Sequence, residues 1–274
     1  MQDRVRVQDD LGDELSLDRL PNRIVSLVPS VTETVIDLGA AKRLVGITNY
    51  CVHPAEVVSN ISKVGGTKGF SLDKIDDLKP DLIVANKEEN RKHQIDKLRE
   101  SYPVFVTYPR TVDGAIKMVL DLGTLTGTSP RASKFASKCR HLLESMDPAT
   151  VAKSLRTACM IWRDPWMAAG YDTYMRELLE CVGFNTVFDE GEDRYPETTL
   201  STIAQREPDV IMLPNEPYEF GTSDKNEVDA FLEEQGSKAR TLLVDGSYLT
   251  WFGTRTIKGL RFLYDTKSRL VSDT

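Results

Sequence analysis

Two of the chain's three tryptophans fall within one short stretch, Trp162-Arg163-Asp164-Pro165-Trp166-Met167-Ala168-Ala169-Gly170. Indole rings beside a guanidinium and a carboxylate, at the end of an apolar run, suit a pocket with an apolar wall and a few polar anchors. They equally suit a core tryptophan with a structural Arg–Asp pair. A second aromatic group, Tyr248, Trp251 and Phe252, follows an apolar run ending at Asp245 and leads into Thr254-Arg255. Asp193-Arg194-Tyr195-Pro196 places one more ring in a charged loop. Upstream, Ser30 and Glu33 in Pro29-Ser30-Val31-Thr32-Glu33 have the S-x-x-E spacing of a capping box, so a helix should open there. A helix start after a parallel strand lies at the sheet edge where open α/β folds bind ligands. Gly65-Gly66-Thr67-Lys68-Gly69 fits neither glycine pattern that cradles phosphate. It reads as a loop that turns tightly or passes close to a ligand, with Gly66 as the candidate contact.

Catalytic arrangements are not evident. There is no G-x-S-x-G elbow, and His53, His93 and His141 are far apart with no H-x-x-x-H spacing. His93 and His141 fall on expected helices as solvated side chains. His53, close to Cys51, gives at most two metal ligands, which leaves a site incomplete. The four cysteines, Cys51, Cys139, Cys159 and Cys181, show no C-x-x-C pairing and read as buried free thiols.

The elements that must position these residues follow a β-α-β-α order. Apolar runs at Ile24–Val28, Leu44–Ile47, Leu82–Ala85 and Val104–Thr107 predict strands, with helices over Val31–Leu38, Leu72–Leu78 and Asn90–Glu100. A second series predicts strands over Thr157–Trp162, Thr186–Phe188, Val210–Leu213 and Leu242–Val244. Its helices are expected over Asp172–Cys181, Leu200–Arg206, Val228–Glu234 and Thr254–Leu270. Between the series lie two helices, Asp113–Leu125 and Pro130–Met146, the second a rod of roughly 25 Å at 1.5 Å per residue. The residues before Arg23 read as an edge hairpin or arm. The expected organisation is an N-terminal α/β lobe over 1–112, a helical linker over 113–154 and a C-terminal α/β lobe over 155–274. The sheets should be mostly parallel, and one long stiff helix should bridge the two Rossmann-like lobes.

Composition narrows the function classes. The 274 residues carry 42 acidic against 35 basic side chains, a net charge of −7. That balance argues against a nucleic-acid partner and against attraction to an anionic membrane. The longest stretch without charged side chains, Leu44–Ala55, is far shorter than the about 20 residues that span a bilayer, so no membrane insertion is expected. The residues after Met1 contain no apolar h-region, and scattered free thiols favour a reducing compartment. The expectation is a cytoplasmic protein, or a periplasmic one if a leader has been removed.

Taken together, these segments carry a resemblance. Arg23-Ile24-Val25-Ser26-Leu27-Val28-Pro29-Ser30-Val31-Thr32-Glu33-Thr34 resembles the opening strand and helix of the class III solute-binding proteins, the helical-backbone metal receptors. Leu44 to Cys51, Val64-Gly65-Gly66 and Leu78-Lys79-Pro80-Asp81-Leu82-Ile83 continue it. Trp162-Arg163-Asp164-Pro165 and Trp251-Phe252-Gly253-Thr254-Arg255 resemble the cobalamin-binding branch. The resemblance implies two lobes with a ligand cleft, a corrinoid or other metal chelate as ligand, no catalysis and no intrinsic cofactor. It implies a monomer that serves an ABC importer. It makes Tyr50 an N-lobe aromatic contact, Tyr195 the counterpart of a family tryptophan, Trp251 a C-lobe contact and Arg255 a donor to peripheral amides. With these, the candidate binding residues are Ser30, Tyr50, Gly66, Trp162, Arg163, Trp166, Tyr195, Trp251 and Arg255.

The sequence departs from the family at three points. Asn86 stands where an N-lobe aromatic is found. Lys92 and Ser201 stand where the family carries the surface carboxylates that dock on a permease, with Glu88, Glu89 and Glu197 close by. Other readings stay open. An iron–siderophore would call on Lys68, Arg163, Arg194 and Arg255, and haem would call on Tyr50 or His53 as axial donor. A cytoplasmic corrinoid-handling enzyme or sensor is a further class, with the loop Glu216-Pro217-Tyr218-Glu219-Phe220 either a docking element or solvated surface.

Overall fold

The computed structural model describes residues 4–188, 191 and 193–272. The fold is α/β, and the chain divides into two compact units. The first gathers residues up to Pro109, Asp113–Cys139 and Phe252–Arg255. The second gathers Arg110–Val112, Arg140–Trp251 and Thr256 onward.

In the first unit, five parallel strands lie in the order Ser62–Lys63, Leu44–Ile47, Ile24–Ser26, Leu82–Asn86, Val104–Thr107. The central strands form because Ile24, Val25, Leu82, Ile83 and Val84 are wholly buried, as continuous apolar runs covered on both faces should be. Strand order reverses between Ile24–Ser26 and Leu82–Asn86, which makes their carboxyl ends the switch point where such sheets take ligands. The amino-terminal residues form the expected hairpin, Val5–Gln8 with Glu14–Leu17. Buried Asp9 fastens it, accepting from the amides of Leu11 and Asp13 at 2.9 Å and from Arg99 at 3.1 Å. The glycine-rich segment is a tight hairpin, Gly65–Gly66 with Gly69–Phe70. At Gly65 (φ 122°) a Cβ would lie 2.7 Å from the Gly69 carbonyl oxygen, so only glycine closes this turn.

The second unit's sheet is mixed. Phe184–Thr186, Leu155–Trp162, Val210–Pro214 and Arg240–Val244 run parallel. Trp166–Ala168 then pairs antiparallel with Leu155–Trp162, and Glu197–Thr198 pairs antiparallel with Trp166–Ala168. The segment Trp162 to Trp166, expected at the end of a strand, is therefore a hairpin. Asp164 holds the left-handed conformation at its tip (φ 59°). The core of this unit includes Ala158, Met160, Ile211, Leu213 and Val228.

The helix Ser129–Ser145 buries Ala132, Phe135, Ala136 and Cys139, the stripe its spacing predicts. The unit division falls after Cys139, so the expected 113–154 linker is shared between the two units. That helix is not the sole connection. Arg110–Val112 groups with the second unit, where Arg110 bonds both carboxylate oxygens of Asp172 at 2.8 and 2.9 Å. Phe252–Arg255 groups with the first, and the last helix accordingly begins at Thr256 rather than Thr254. Among the described residues no helix is long and apolar enough to cross a membrane.

Candidate functional site

At the first unit's switch point the helix Pro29–Asp37 starts two residues earlier than the capping box requires. Val28 is the cap residue and Pro29, with its fixed φ, takes the first helical position. Ser30 therefore sits inside the first turn. Its hydroxyl is buried and has no hydrogen-bond partner among the described residues. Glu33 faces away from the cap and grips Arg255, both oxygens meeting the guanidinium at 2.7 Å. Arg255 is buried in that pair, so the expectation that it reaches a ligand's amides is corrected.

Asn86 is no substitute for a ligand-facing ring. It is buried, donates to the Thr107 carbonyl at 3.0 Å and accepts from the amides of Glu88 and Glu89 at 2.9 and 3.1 Å. Asn90, which the sequence did not single out, accepts from the Asn86 amide at 2.8 Å. It donates to the carbonyls of Thr67 at 2.8 Å and Leu27 at 3.3 Å. The only trace in sequence is the Asn-x-x-x-Asn spacing after a strand. Together the two side chains lace the strand ends and the glycine hairpin into one frame.

On that frame Tyr50 is 61% exposed, and its Cε2 would lie 3.4 Å from a Cβ at Gly66, so these two candidates do meet. Cys51 points the other way, buried with its Sγ at 3.1 and 3.2 Å from the hydroxyls of Thr32 and Thr48. That removes the Cys51/His53 metal pair. Among the described residues no cluster of three His, Cys, Asp or Glu side chains could hold a metal.

In the second unit the hairpin brings Trp162, Arg163 and Trp166 together. Trp162, 44% exposed, meets Tyr218 edge to face at 5.6 Å. Tyr218 lies 4.7 Å from Phe220, which stacks at 5.8 Å on Trp166. The rings thus run from exposed Trp162 through half-buried Tyr218 and buried Phe220 to half-buried Trp166, in the offset and tilted geometries aromatic quadrupoles favour. The Glu216–Phe220 loop is therefore anchored by its rings. Its readable signal was Tyr218 and Phe220 spaced by two after the strand ending at Pro214.

Arg163 stands 5.4 Å over the Trp166 ring with its guanidinium engaged by three carboxylates. It bonds Asp224 by a short contact and Glu227 at 2.6 Å, with Asp164 at 3.8 Å. The Asp224 hydrogen bond, and then Glu227, push the guanidinium pKa still higher. Burial would raise the Asp224 carboxyl, but the Gly221 amide and Arg163 outweigh it and hold the carboxyl below its ordinary range. Asp224 also accepts from the Gly221 amide at 2.8 Å, at the start of helix Thr222–Glu234.

Tyr195 and Trp251 stand on separate loops of this unit. Tyr195, 36% exposed, lies 5.4 Å under the Arg194 guanidinium, which donates to the Asp172 carbonyl at 2.8 and 2.9 Å. Trp251 is 8% exposed, with its indole N–H donating to Glu216 at 2.9 Å. A surface depression of about 720 Å³ lies at the opposite, amino-terminal edge of the sheet, lined among others by Ser201, Asp209 and Arg240. It has no part of the aromatic set. Lys92 pairs with Asp96 at 2.6 Å on an exposed helix face.

Two α/β units with exposed aromatic rings at sheet edges point to a binding protein, and the chain belongs to the periplasmic binding protein family, whose profile matches residues 24–239. This bears out the resemblance to class III solute-binding proteins. Among relatives, the vitamin B12-binding protein of Yersinia pestis (strain Pestoides F) is 27% identical over 208 residues, 73% of each chain. The periplasmic vitamin B12 binding protein of Vibrio cholerae has a similar fold, with a TM-score of 0.76, 20% identity and coverage of 92% of this chain and 98% of that one. So has the apo periplasmic heme-binding protein of Roseiflexus sp. RS-1, with a TM-score of 0.75, 20% identity and coverage of 90% and 99%.

The family is one of periplasmic binding proteins and both structural relatives are periplasmic, which overturns the expectation of a cytoplasmic protein. The thiol argument behind that expectation fails physically. Cys51, Cys139 and Cys159 are shielded by burial itself, whatever the compartment, and burial pushes the Cys159 thiol up to about 12, far from the reactive thiolate.

Proposed function

We propose that this protein captures a corrinoid, performs no reaction on it, and presents it to an ABC importer. The observation that carries the reading is the ring series led by the exposed Trp162, with half-buried Tyr218 against it. A corrin is broad and largely apolar, so flat, stiff side chains bury much of it at low entropic cost. Tyr50 over Gly66 offers a comparable face in the first unit. The amides opening helix Pro29–Asp37 are suited to the carbonyl groups of peripheral amides. The vitamin B12-binding relatives support the same ligand class.

A siderophore is the weaker reading. Of the four cations it would need, Arg163, Arg194 and Arg255 are already engaged by acidic side chains, which leaves Lys68. Haem is the second reading, favoured by the exposed phenol of Tyr50 as an axial donor. For importer docking, the exposed carboxylates of Glu88, Glu89 and Glu197 are proposed in place of the side chains missing at Lys92 and Ser201.

Titration with cyanocobalamin and with cobinamide, read by quenching of tryptophan emission, tests the corrinoid reading. Saturable quenching at micromolar ligand supports it, and no quenching up to high micromolar removes corrinoids. Haemin titrated in parallel, read at its Soret band, separates the second reading.

A further inference from the structure

We infer that the ion-pair cluster around Arg163 sets the charge class of the ligand: it withdraws the guanidinium beside the aromatic series and turns that surface against anionic chelates. The inference rests on the proposed function only in that the ligand touches the Trp162 end of the series.

Arg163 lies 5.4 Å from the Trp166 ring and is next in sequence to Trp162. Left alone it would attract carboxylates and phosphates, because a guanidinium binds them bidentately. It is not left alone. Asp224, Glu227 and Asp164 all lie within 4 Å, so one positive charge faces three negative ones. Asp224 is buried and locked by the Gly221 amide, which fixes the guanidinium from beneath. Glu227 and Asp164 have side chains 45% and 88% exposed, so their uncompensated charge looks into solvent beside Trp162. Glu216, bonded to the Trp251 indole, and Glu219 add to the same sign on the adjoining loop.

A ligand arriving over Trp162 therefore meets an apolar face edged with negative charge. A neutral or cationic ring system is accepted, whereas each carboxylate on the ligand is repelled. In a partly desolvated site that repulsion is worth about a tenfold loss of affinity or more per charge, reduced by salt. The chemical class is thus a macrocycle whose periphery carries amides or other uncharged groups.

The test titrates the full chain with two pairs of ligands that share a ring and differ in charge. One pair is cyanocobalamin and its derivative with peripheral amides hydrolysed to carboxylates. The other is haemin and its propionate diamide. For whichever ring binds, the uncharged member should bind at least about tenfold more tightly at low salt. The variant Asp164→Asn with Glu227→Gln removes two exposed charges, leaves the Asp224 cap intact and should shrink that ratio about tenfold or more. Glu227→Gln alone should shrink it less. An anionic member that binds as well as its neutral partner overturns the inference, as does a ratio unchanged in the double variant. If only the haemin pair binds, with the same charge preference, the corrinoid reading fails and this inference stands. Binding of none of the four overturns both.

Discussion

Glu33 and Arg255, 222 residues apart in sequence, form a two-pronged buried ion pair with both contacts at 2.7 Å. Other bonds also tie the segment Phe252–Arg255 to the helix Pro29–Asp37. The Thr254 amide donates to the Thr34 hydroxyl at 3.2 Å, and the Thr254 hydroxyl to Asp37 at 2.7 Å. Glu33, Thr34 and Asp37 share one helix face, so a short return of the chain is clamped along that face into the first unit's fold.

Breaking this pair from one side should be costly. Arg255→Met leaves the Glu33 carboxylate buried opposite an apolar chain, and about 3–5 kcal/mol of stability should be lost. Replacing both, as Glu33→Leu with Arg255→Met, should restore most of it, because the unpaired charge is gone. Urea denaturation of the two single variants and the double variant checks this. Additive losses would show that the two side chains do not act as a pair.

Why this clamp escaped the sequence, while the sheet did not, is a matter of range. Leu82–Asn86 and Val210–Pro214 are buried at every position, and a fully buried strand announces itself as an unbroken apolar run. The Ser30/Glu33 spacing looked local, yet Pro29 fixed the helix start two residues earlier and freed Glu33 for a distant partner. Arg255, singled out as a ligand donor, is consumed by that partner. The Trp162 and Trp166 pair stood out in the sequence because its residue types are unusual together. Tyr218 did not, since only the fold carries its loop back onto Trp162. The Asn86–Asn90 frame depends on carbonyls from three different segments, which no local pattern encodes.

Trp162 lies at the exposed end of its ring series, with half-buried Tyr218 against it, so removal of the Trp162 ring should reach binding and spare the fold. Trp162→Ala and Tyr218→Ala should each weaken corrinoid affinity by about tenfold or more, as central aromatic anchors do. Trp166→Ala, deeper in the stack, should instead cost about 3 kcal/mol or more of stability. Calorimetric titration alongside thermal denaturation checks the split. Equal losses of stability for Trp162 and Trp166 would contradict the assignment of one end to solvent and the other to the core.

Two glycines with nearly the same φ offer a controlled comparison. Gly253 and Gly12 have φ of 92° and 91°. A Cβ on Gly253 would sit 2.2 Å from the Thr34 hydroxyl and 3.0 Å from the Met118 methyl, whereas one on Gly12 would meet nothing within 4 Å. Gly12→Ala should cost only the left-handed strain of about 1–2 kcal/mol. Gly253→Ala should cost at least about 2 kcal/mol more, because the clamp must shift as well. Chemical denaturation of both variants decides whether the close approach, rather than φ, fixes glycine at 253.

Lys267 gives the chain a pH signature. Its side chain is fully buried, and its ammonium donates to the Val151 carbonyl at 2.9 Å. Gly183 makes room for it, since a Cβ there would lie 2.0 Å from Nζ. Burial pushes the Lys267 pKa down from 10.5 to about 8. Between those values the unfolded chain holds more protons than the folded one, so stability rises with pH across the window. Below about pH 8 the buried ammonium exacts its full penalty in the folded state, and above about 10.5 the penalty is gone. The gain across the window is up to about 3 kcal/mol. Lys267→Met keeps the length of the side chain and abolishes the titration. The stability difference, wild type minus Lys267→Met, should therefore climb by that amount between pH 7.5 and 10.5, and other titrating groups cancel in the subtraction. Denaturant midpoints measured at half-unit steps give the curve. A flat difference would mean that Lys267 keeps its ordinary affinity for a proton inside the fold.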